Sequence, residues 1–268
     1  MQTDYSVLVN TSDGFEDCWN PFFILLGKYW PELDAPVYLN TERKDWSRGG
    51  REIRCTQVQG EVAERLTWSQ CLLGALAQIE TPLVLYFQED YFIHQPVRHD
   101  LVQAAVAHMT RNPDVKHIGL TKQGSAGPFE EAGEAWLGQI RQGARYRIST
   151  QAALWRVETL RGYLRAPENG WMFEIYGTWR ARRRRETFLT ARFGGEFGPA
   201  PIDYLHTGIV KGQWLPGIER VFSENGIKVD FSRRGFYQQK GVLARKFELA
   251  RKLAAHPMYG LRQYLGLA

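Results

Sequence analysis

The chain has 268 residues, of which 44% are hydrophobic and 24% charged. These are ordinary globular proportions, and they exclude an intrinsically disordered chain. No apolar run approaches the roughly 20 residues that cross a bilayer, and no basic segment followed by an apolar one marks a secretory signal. Three cysteines without Cys-x-x-Cys spacing argue against a disulfide framework or a cysteine zinc site, so we expect a cytoplasmic protein.

The formal net charge of +5 is unevenly distributed. From Lys240 onward the sequence has six lysines and arginines and a single acid, Glu248, whereas the residues before Lys240 are balanced in charge. The excess positive charge therefore belongs to a C-terminal tail, residues 239–268.

Strands and helices alternate in the predicted order. Continuous apolar runs predict the early strands, and apolar residues at helical spacing predict the helices. In chain order we expect strands at 5–10, 35–40 and 53–58 and the run that begins at 82, with helices at 16–30, 62–79 and 99–111. Further on we expect strands at 116–120, 145–150 and within 201–214, and helices at 151–164, 170–186 and 241–255.

This order predicts an α/β fold with a Rossmann-like, mostly parallel central sheet covered by helices on both faces. Ligands of such folds bind beyond the carboxyl ends of the strands. Three polar segments follow predicted strands there: 10–13, 40–44 and 89–90.

The third polar segment is two adjacent acids, Glu89 and Asp90, which follow the apolar run Leu83–Phe87 after one residue, Gln88. Adjacent carboxylates repel each other unless a cation neutralises them. A divalent cation shared with substrate phosphates is one solution. The alternative is that the pair caps a following turn and is solvated.

Several stretches together resemble nucleotide-sugar-dependent glycosyltransferases of the GT-A type, particularly bacterial ones that act on surface polysaccharides. The resemblance covers roughly residues 5 to 235. It begins with SVLVNTSDGFEDCWNPFFILLGKYWPELDAPVYLNTE, similar to the first nucleotide-binding unit, and RLTWSQCLLGALAQIETPLVLYFQEDYFI, similar to the segment that carries the acidic metal motif. STQAALW, NGWMFEIYGTWRAR and HTGIVKGQW are similar to the acceptor half.

The resemblance implies a catalytic domain over residues 1–238, with a nucleotide-sugar half to about 120 and an acceptor half from about 121. It implies Mn²⁺ or Mg²⁺ as cofactor, bound by Asp90 and by His206 as second ligand; the alternative for His206 is a structural histidine. The family motif is Asp-x-Asp, whereas here the triplet is Gln88-Glu89-Asp90. Glu89 is therefore assigned to the donor sugar or ribose, and metal dependence is left open.

Donor binding is assigned by the same resemblance to the first strand end and to nearby basic and aromatic residues. Arg65 has an alternative partner in Glu61, one helical turn away. The predicted donor residues are Asn10, Thr11, Asp13, Arg65, Trp68, Glu89 and Lys211.

Glu174 is the predicted catalytic base, because the resemblance places an acid there in inverting enzymes. Trp171 and Phe173 precede it, and contact with aromatic surface would raise its pKa. Its alternative is a solvated acid paired with an arginine, and in a retaining enzyme it would only orient the acceptor. Glu168 and Asp203 are the reserve candidates.

Three tryptophans, Trp155, Trp171 and Trp214, are the predicted acceptor platform, with packing in the core as the alternative. The loop 121–136, rich in glycine and proline, is a candidate lid. The alternative for this loop is a surface insertion.

Two basic segments indicate anionic partners. RARRRRE (180–186) is typical of a nucleic-acid patch, but no nucleic-acid-binding motif accompanies it. The tail, with Leu243 and Phe247 on one helical face, is a basic amphipathic helix that suits the inner face of the cytoplasmic membrane and a lipid-linked glycan acceptor. Docking of the tail on the domain is the alternative.

Two other functions remain open. A sugar nucleotidyltransferase also uses a Rossmann-like sheet, although its phosphate loop is usually rich in glycine and basic residues, unlike NTSDGFED here. The second is a non-enzymatic module that binds nucleic acid or another anionic polymer. The sequence favours glycosyl transfer in bacterial polysaccharide biosynthesis, from a nucleotide-sugar to a saccharide acceptor.

Overall fold

The computed structural model of the chain describes residues 3–124, 127–239, 241, 247, 251–252 and 254–267. Its helices are α1 (Glu16–Tyr29), α2 (Trp68–Ala77), α3 (His99–Arg111), α4 (Val157–Tyr163), α5 (Gly170–Ala181), α6 (Ile218–Glu224) and α7 (Pro257–Leu265). Its strands are β1 (Tyr5–Asn10), β2 (Val37–Asn40), β3 (Ile53–Cys55), β4 (Leu83–Gln88), β5 (Val115–Gly119), β6 (Phe129–Glu131), β7 (Leu137–Ile140), β8 (Ala153–Arg156), β9 (Thr187–Ala191), β10 (Ile209–Val210) and β11 (Gln213–Trp214). In the described part of the chain, no helix has both the length and the apolar character needed to cross a bilayer.

Nine strands form one sheet in the order β3-β2-β1-β4-β8-β5-β9-β7-β6. The first four are parallel neighbours, and β8 is inserted between β4 and β5 antiparallel to both. Strand β9 is parallel to β5, and the β6–β7 hairpin completes the edge. Only β7 and β8 run against the other strands, so the prediction of a mostly parallel sheet is confirmed.

Both faces of the central strands β1 and β4 are buried, which explains their continuous apolar runs. Alternate residues of a strand point to opposite faces. In β4, Leu85 packs into the core on the side of α1 and α3, whereas Tyr86 packs on the side of α2, α4 and α5. Helices therefore flank the sheet on both sides, as predicted.

Helix α2 begins later than predicted. Thr67 accepts a hydrogen bond from the Gln70 N–H, and the Gln70 side chain accepts one from the Thr67 N–H, which is a complete capping box. Residues 62–67 therefore precede the helix, and Val62 is exposed there.

The segment from 145 to 191 differs most from the prediction. Residues 145–150 form a turn, a bend and irregular structure in place of the predicted strand, and the predicted helix 151–164 divides into β8 and then α4. Helix α5 ends at Ala181, before most of the arginine run, and the unpredicted strand β9 follows. The candidate lid 121–136 contains the edge strand β6.

The predicted tail helix at 241–255 lies almost entirely outside the described residues. Within them, α7 packs against α5 through a buried ion pair. Arg180 donates two hydrogen bonds to Glu168, at 2.6 and 2.7 Å, and the Tyr259 hydroxyl donates a third, at 2.9 Å. Glu168 was a reserve candidate for the base. Its complete burial beside a cation makes it a structural acid instead, so that assignment is wrong.

We expect Glu168→Gln to lower the free energy of unfolding by about 3–5 kcal/mol, because the change leaves Arg180 buried without its counter-charge. The matched control is Glu224→Gln, which removes an exposed ion pair with Arg220 and should leave the unfolding midpoint unchanged. Denaturant unfolding of both variants measures the difference. Equal midpoints for the two variants would contradict a structural role for the buried pair.

Candidate functional site

The carboxyl ends of β1, β2 and β4 meet at one edge of the sheet. Asn10 lies opposite Asn40 on one side and Gln88 on the other, and the Asn40 side chain donates a 2.7 Å hydrogen bond to Asn10. The polar segments that follow these strands are therefore brought together, as the sequence predicts. Thr11, the next residue, accepts a hydrogen bond from the Trp19 indole at 2.9 Å.

Asp13 connects the loops after β1 and β2. Its carboxylate accepts hydrogen bonds from the N–H groups of Glu42, Arg43 and Lys44 at 2.9–3.1 Å. Glu42 in turn accepts one from the Asp13 N–H and one from Arg65, which is three-quarters exposed. Arg65 therefore pairs with Glu42, and the alternative pairing with Glu61 is wrong. These contacts keep Arg65 beside the loop that follows β1.

Asp90 is buried just after β4. The loop of residues 205–208, which leads into β10 and is called the late loop below, holds it in place. The Asp90 Oδ2 accepts hydrogen bonds from the Thr207 hydroxyl and, at 2.9 Å, from the Ile209 N–H. The Gly208 N–H binds the Asp90 carbonyl, and a Cβ at Gly208 would lie 2.3 Å from the Phe92 ring. Only glycine permits this approach. The loop that carries His206 is therefore fixed next to the acid pair, and His206 itself is exposed.

The second carboxylate oxygen of Asp90, Oδ1, is buried and has no hydrogen-bond partner among the described residues. Burial raises the pKa of Asp90, and the bonds from Thr207 and Ile209 offset part of that rise. Burial, followed by the charge of Asp90, raises the pKa of Glu89 well above its usual range. Both acids are therefore poorly solvated and would be stabilised by a nearby cation.

Arg234 is a nearby cation that lowers the pKa of Glu89 in part. It forms a bidentate ion pair with Asp17 of α1, so most of its charge is already compensated. It also donates a hydrogen bond to the Gly14 carbonyl at 2.8 Å and lies over the Phe15 ring. Arg234 thereby attaches the segment after α6 to the start of α1, close to the acids.

A metal ion fits this site only if a substrate supplies most of its ligands. In residues the structure describes, no group of three or more His, Cys, Asp or Glu side chains is arranged to hold one. The unpartnered Asp90 Oδ1, with Glu89 beside it, suits a cation that takes its other ligands from phosphates and water. The assignment of His206 as a second ligand remains a prediction.

Glu174 lies on α5, whose first turn is capped by the Asn169 side chain. Its Oε1 accepts hydrogen bonds from both the N–H and the hydroxyl of Thr150, each at 2.8 Å. Burial raises the pKa of Glu174, and the Thr150 bonds and the charge of His206 lower it in part. The direction predicted from sequence is confirmed. Phe173, the predicted aromatic neighbour, instead packs on Trp68, with ring centroids 5.6 Å apart.

Two stacked tyrosines connect Glu174 with the acid pair. The rings of Tyr91 and Tyr204 are 4.6 Å apart, and Gln151 hydrogen-bonds to both hydroxyls. The Tyr91 hydroxyl also donates to the Thr150 carbonyl at 3.1 Å. The segment that holds Glu174 is therefore fixed to the residue that follows Asp90. Sequence reasoning missed this cluster, although Tyr91 directly follows the acid pair.

The predicted acceptor platform is wrong for two of its three tryptophans. Trp155 and Trp214 are 1% and 0% exposed, and both pack against aromatic side chains of the core. Neither presents a ring face to a ligand. Trp171, at the start of α5, is half-buried, and its acceptor role remains a prediction.

Two other candidates lie near the late loop. Lys211 is exposed in the two-residue turn between β10 and β11, where its φ of 53° and that of Gly212, 79°, are left-handed. Asp203, a reserve base, forms an ion pair with Lys122 at 2.7 Å. This pairing favours a structural role for Asp203.

No family model matches the chain, and no curated protein matches it. Among solved structures, the 1–349 fragment of S. aureus TarS has a TM-score of 0.47 at 14% identity, over 71% of this chain and 58% of that one. The same fragment in complex with UDP has a TM-score of 0.45 at 15% identity, over 71% and 60%. A mycobacterial protein has a TM-score of 0.47 at 14% identity, over 84% and 75%.

The chain thus spans less than two thirds of the length of the TarS fragment. A partial similarity of this kind does not assign an activity to the chain. The topology of the chain itself is informative. A mostly parallel sheet with β8 reversed between β4 and β5, and with helices on both faces, agrees with the α/β fold predicted from the sequence.

Proposed function

We propose that the chain is a glycosyltransferase that moves a sugar from a nucleotide-sugar donor to a saccharide acceptor in bacterial polysaccharide biosynthesis. The observation that carries this proposal is the buried Asp90 at the end of β4, with one carboxylate oxygen unpartnered. A buried, uncompensated charge is costly to keep unless a ligand neutralises it. Its position beyond a parallel strand is where donors bind in such sheets.

The donor half of the site would comprise the strand ends of β1 and β4. Asn10, Thr11 and Glu89 would contact the nucleoside and sugar, while Arg65 and Lys211 would hold phosphate oxygens. Asp13 supports this half differently from the prediction, since its carboxylate already binds the N–H groups of the neighbouring loop. We assign it a positioning role.

Asp90, with His206 as the predicted second ligand, would hold Mn²⁺ or Mg²⁺ through the donor diphosphate. Such an ion neutralises the negative charge that develops on the leaving diphosphate. Glu89 beside Asp90 would orient the donor sugar. The bond between the anomeric carbon and the diphosphate oxygen then breaks, and its electron pair leaves with the diphosphate.

Glu174 would accept the proton of the acceptor hydroxyl as that oxygen attacks the anomeric carbon. Its raised pKa suits this role, because a general base is most effective with a pKa near the working pH. If the reaction retains the anomeric configuration, Glu174 would orient the acceptor instead. Trp171 would contact the acceptor in either case.

The alternative functions fit less well. Arg180 is buried against Glu168, and Arg184 lies over the Tyr163 ring and donates to the Gly162 carbonyl, so part of the arginine run serves the fold and is unavailable to an anionic polymer. In the acidic loop after β1, the Asp13 N–H already donates to Glu42 and the Asp13 carboxylate binds the loop after β2, unlike a phosphate-binding loop of exposed N–H groups. Glycosyl transfer is therefore the better interpretation.

The proposal is tested by incubating the full chain with UDP-, GDP-, dTDP- and CMP-sugars, with and without manganese. At least one donor should raise the unfolding temperature and release its nucleotide, since a ligand present at 100 times its Kd stabilises a protein by about 2.7 kcal/mol. No shift with any donor, together with salt-dependent RNA binding, would instead favour the polymer-binding module.

A further inference from the structure

Helix α7 packs on the protein through its polar side. The Tyr259 hydroxyl binds Glu168 at 2.9 Å, and the Gln263 side chain accepts a hydrogen bond from Arg180 at 2.8 Å. Gln263 is only 4% exposed. Gly260, also on this side, lies against the Tyr176 ring, with 3.4 Å from an added Cβ to the Tyr176 hydroxyl. These contacts fix which face of α7 points outward.

The outward face of α7 is apolar. Met258, Leu261 and Leu265 follow helical spacing and are 65%, 50% and 53% exposed. Tyr264, in the same helix, is 56% exposed although its ring packs edge-on against Trp179, and Leu267, two residues beyond the helix end, is 61% exposed. Isolated exposed apolar side chains are common on proteins, but a contiguous group along one helix marks an interaction surface. We call these five residues the α7 apolar face.

Two arginines border the α7 apolar face. Arg262 is exposed next to it, and Arg183, at the end of α5, donates a hydrogen bond to the Gln263 carbonyl at 3.0 Å. The sequence from 249 to 268 contains no aspartate or glutamate. Glu168, which accepts a hydrogen bond from Tyr259 of α7, is buried and paired with Arg180. The surface is therefore apolar with a cationic border.

We propose that the α7 apolar face docks on an anionic bilayer surface. A helix that lies in the interface places its apolar side chains below the headgroups and its basic side chains among them. Negatively charged lipids attract that border of arginines. An apolar protein partner would not require the complete lack of acids in this segment, so charge complementarity favours the bilayer. The inference does not depend on the proposed glycosyl transfer.

The test is co-sedimentation of the full chain with vesicles of phosphatidylcholine alone and of phosphatidylcholine mixed with phosphatidylglycerol. The parent protein should bind the anionic vesicles, bind neutral vesicles more weakly, and lose binding as salt is raised. The triple variant Met258→Ser/Leu261→Ser/Leu265→Ser should lose about tenfold or more in partition to anionic vesicles. A matched control, Val62→Ser/Phe193→Ser, changes exposed apolar residues elsewhere and should bind like the parent.

A second variant keeps the test decisive if the triple variant folds poorly. Arg262→Glu leaves the apolar side chains in place and should lower binding to anionic vesicles at least about fivefold, without affecting neutral ones. Unchanged binding by both variants would overturn the proposal. A parent protein that does not bind anionic vesicles would also overturn the proposal. If that protein forms a dimer that the triple variant dissociates, the α7 apolar face binds a second copy of the chain instead of a bilayer.

Discussion

Asp90→Asn should lower donor turnover by about a hundredfold to a thousandfold, the range for removing one charge-stabilising group from an active site. Asparagine has nearly the same shape and still offers an oxygen to Thr207 and Ile209, so the late loop should stay in place. What disappears is the negative charge on the unpartnered Oδ1. Release of nucleotide from the donor identified by screening measures the effect.

Stability distinguishes this role from a structural one. An asparagine at 90 removes a buried charge that has no counter-charge within hydrogen-bonding distance among the residues that the structure describes, so the unfolding temperature should stay equal or rise. Glu168→Gln, which breaks a compensated pair, should lower it. Asp4→Asn is the matched control, because Asp4 is exposed before β1, at the opposite edge of the sheet. A loss of stability in Asp90→Asn that accounts for its loss of activity would contradict the proposed role.

Glu174→Gln should lower turnover by about a hundredfold to ten thousandfold if the enzyme inverts configuration, because glutamine can accept the Thr150 hydrogen bonds but cannot take a proton. The raised pKa predicts the pH profile. The carboxyl stays protonated to a higher pH than usual, so activity of the parent should rise with pH through that raised pKa. The Glu174→Gln variant should lack this rise of activity with pH.

The control for Glu174 is Glu158→Gln, which changes an exposed acid on α4 and should leave turnover and pH profile unchanged. Analysis of the anomeric configuration of the product completes the test. An inverted product made at near-normal rate by Glu174→Gln would exclude Glu174 as the base. A retained product made at that rate would instead support the role of orienting the acceptor.

Local patterns predicted the first half of the fold well. β1 and β4 are continuous apolar runs because both sheet faces are covered, and such runs are visible in the sequence. The start of α2 was predicted too early, although the capping-box spacing of Thr67 and Gln70 is a sequence signal for its true start. By contrast, Ala153–Arg156 has no strand signature of its own and becomes β8 because β4 and β5 provide edges on both sides. Tertiary pairing overrides local propensity there.

Some features of the candidate site were likewise predictable from the sequence, and others were not. Asp90 and Glu174 were predicted from residue type, from their neighbours and from the family resemblance; Asp90 is buried and Glu174 is partly buried, and burial raises the pKa of both. Trp155 was misassigned because composition does not reveal which face of an aromatic ring the fold covers. The Tyr91–Tyr204 stack was missed because it joins residues more than a hundred positions apart. These two residues come into contact only in the folded chain.

The most direct test of the central claim is a crystal structure of the full chain with a bound nucleotide-sugar or nucleoside diphosphate. The diphosphate should lie beyond the ends of β1 and β4, joined to the Asp90 carboxylate directly or through one shared cation. A nucleotide bound away from Asp90, with the carboxylate contacting only Thr207 and Ile209 as it does now, would contradict it.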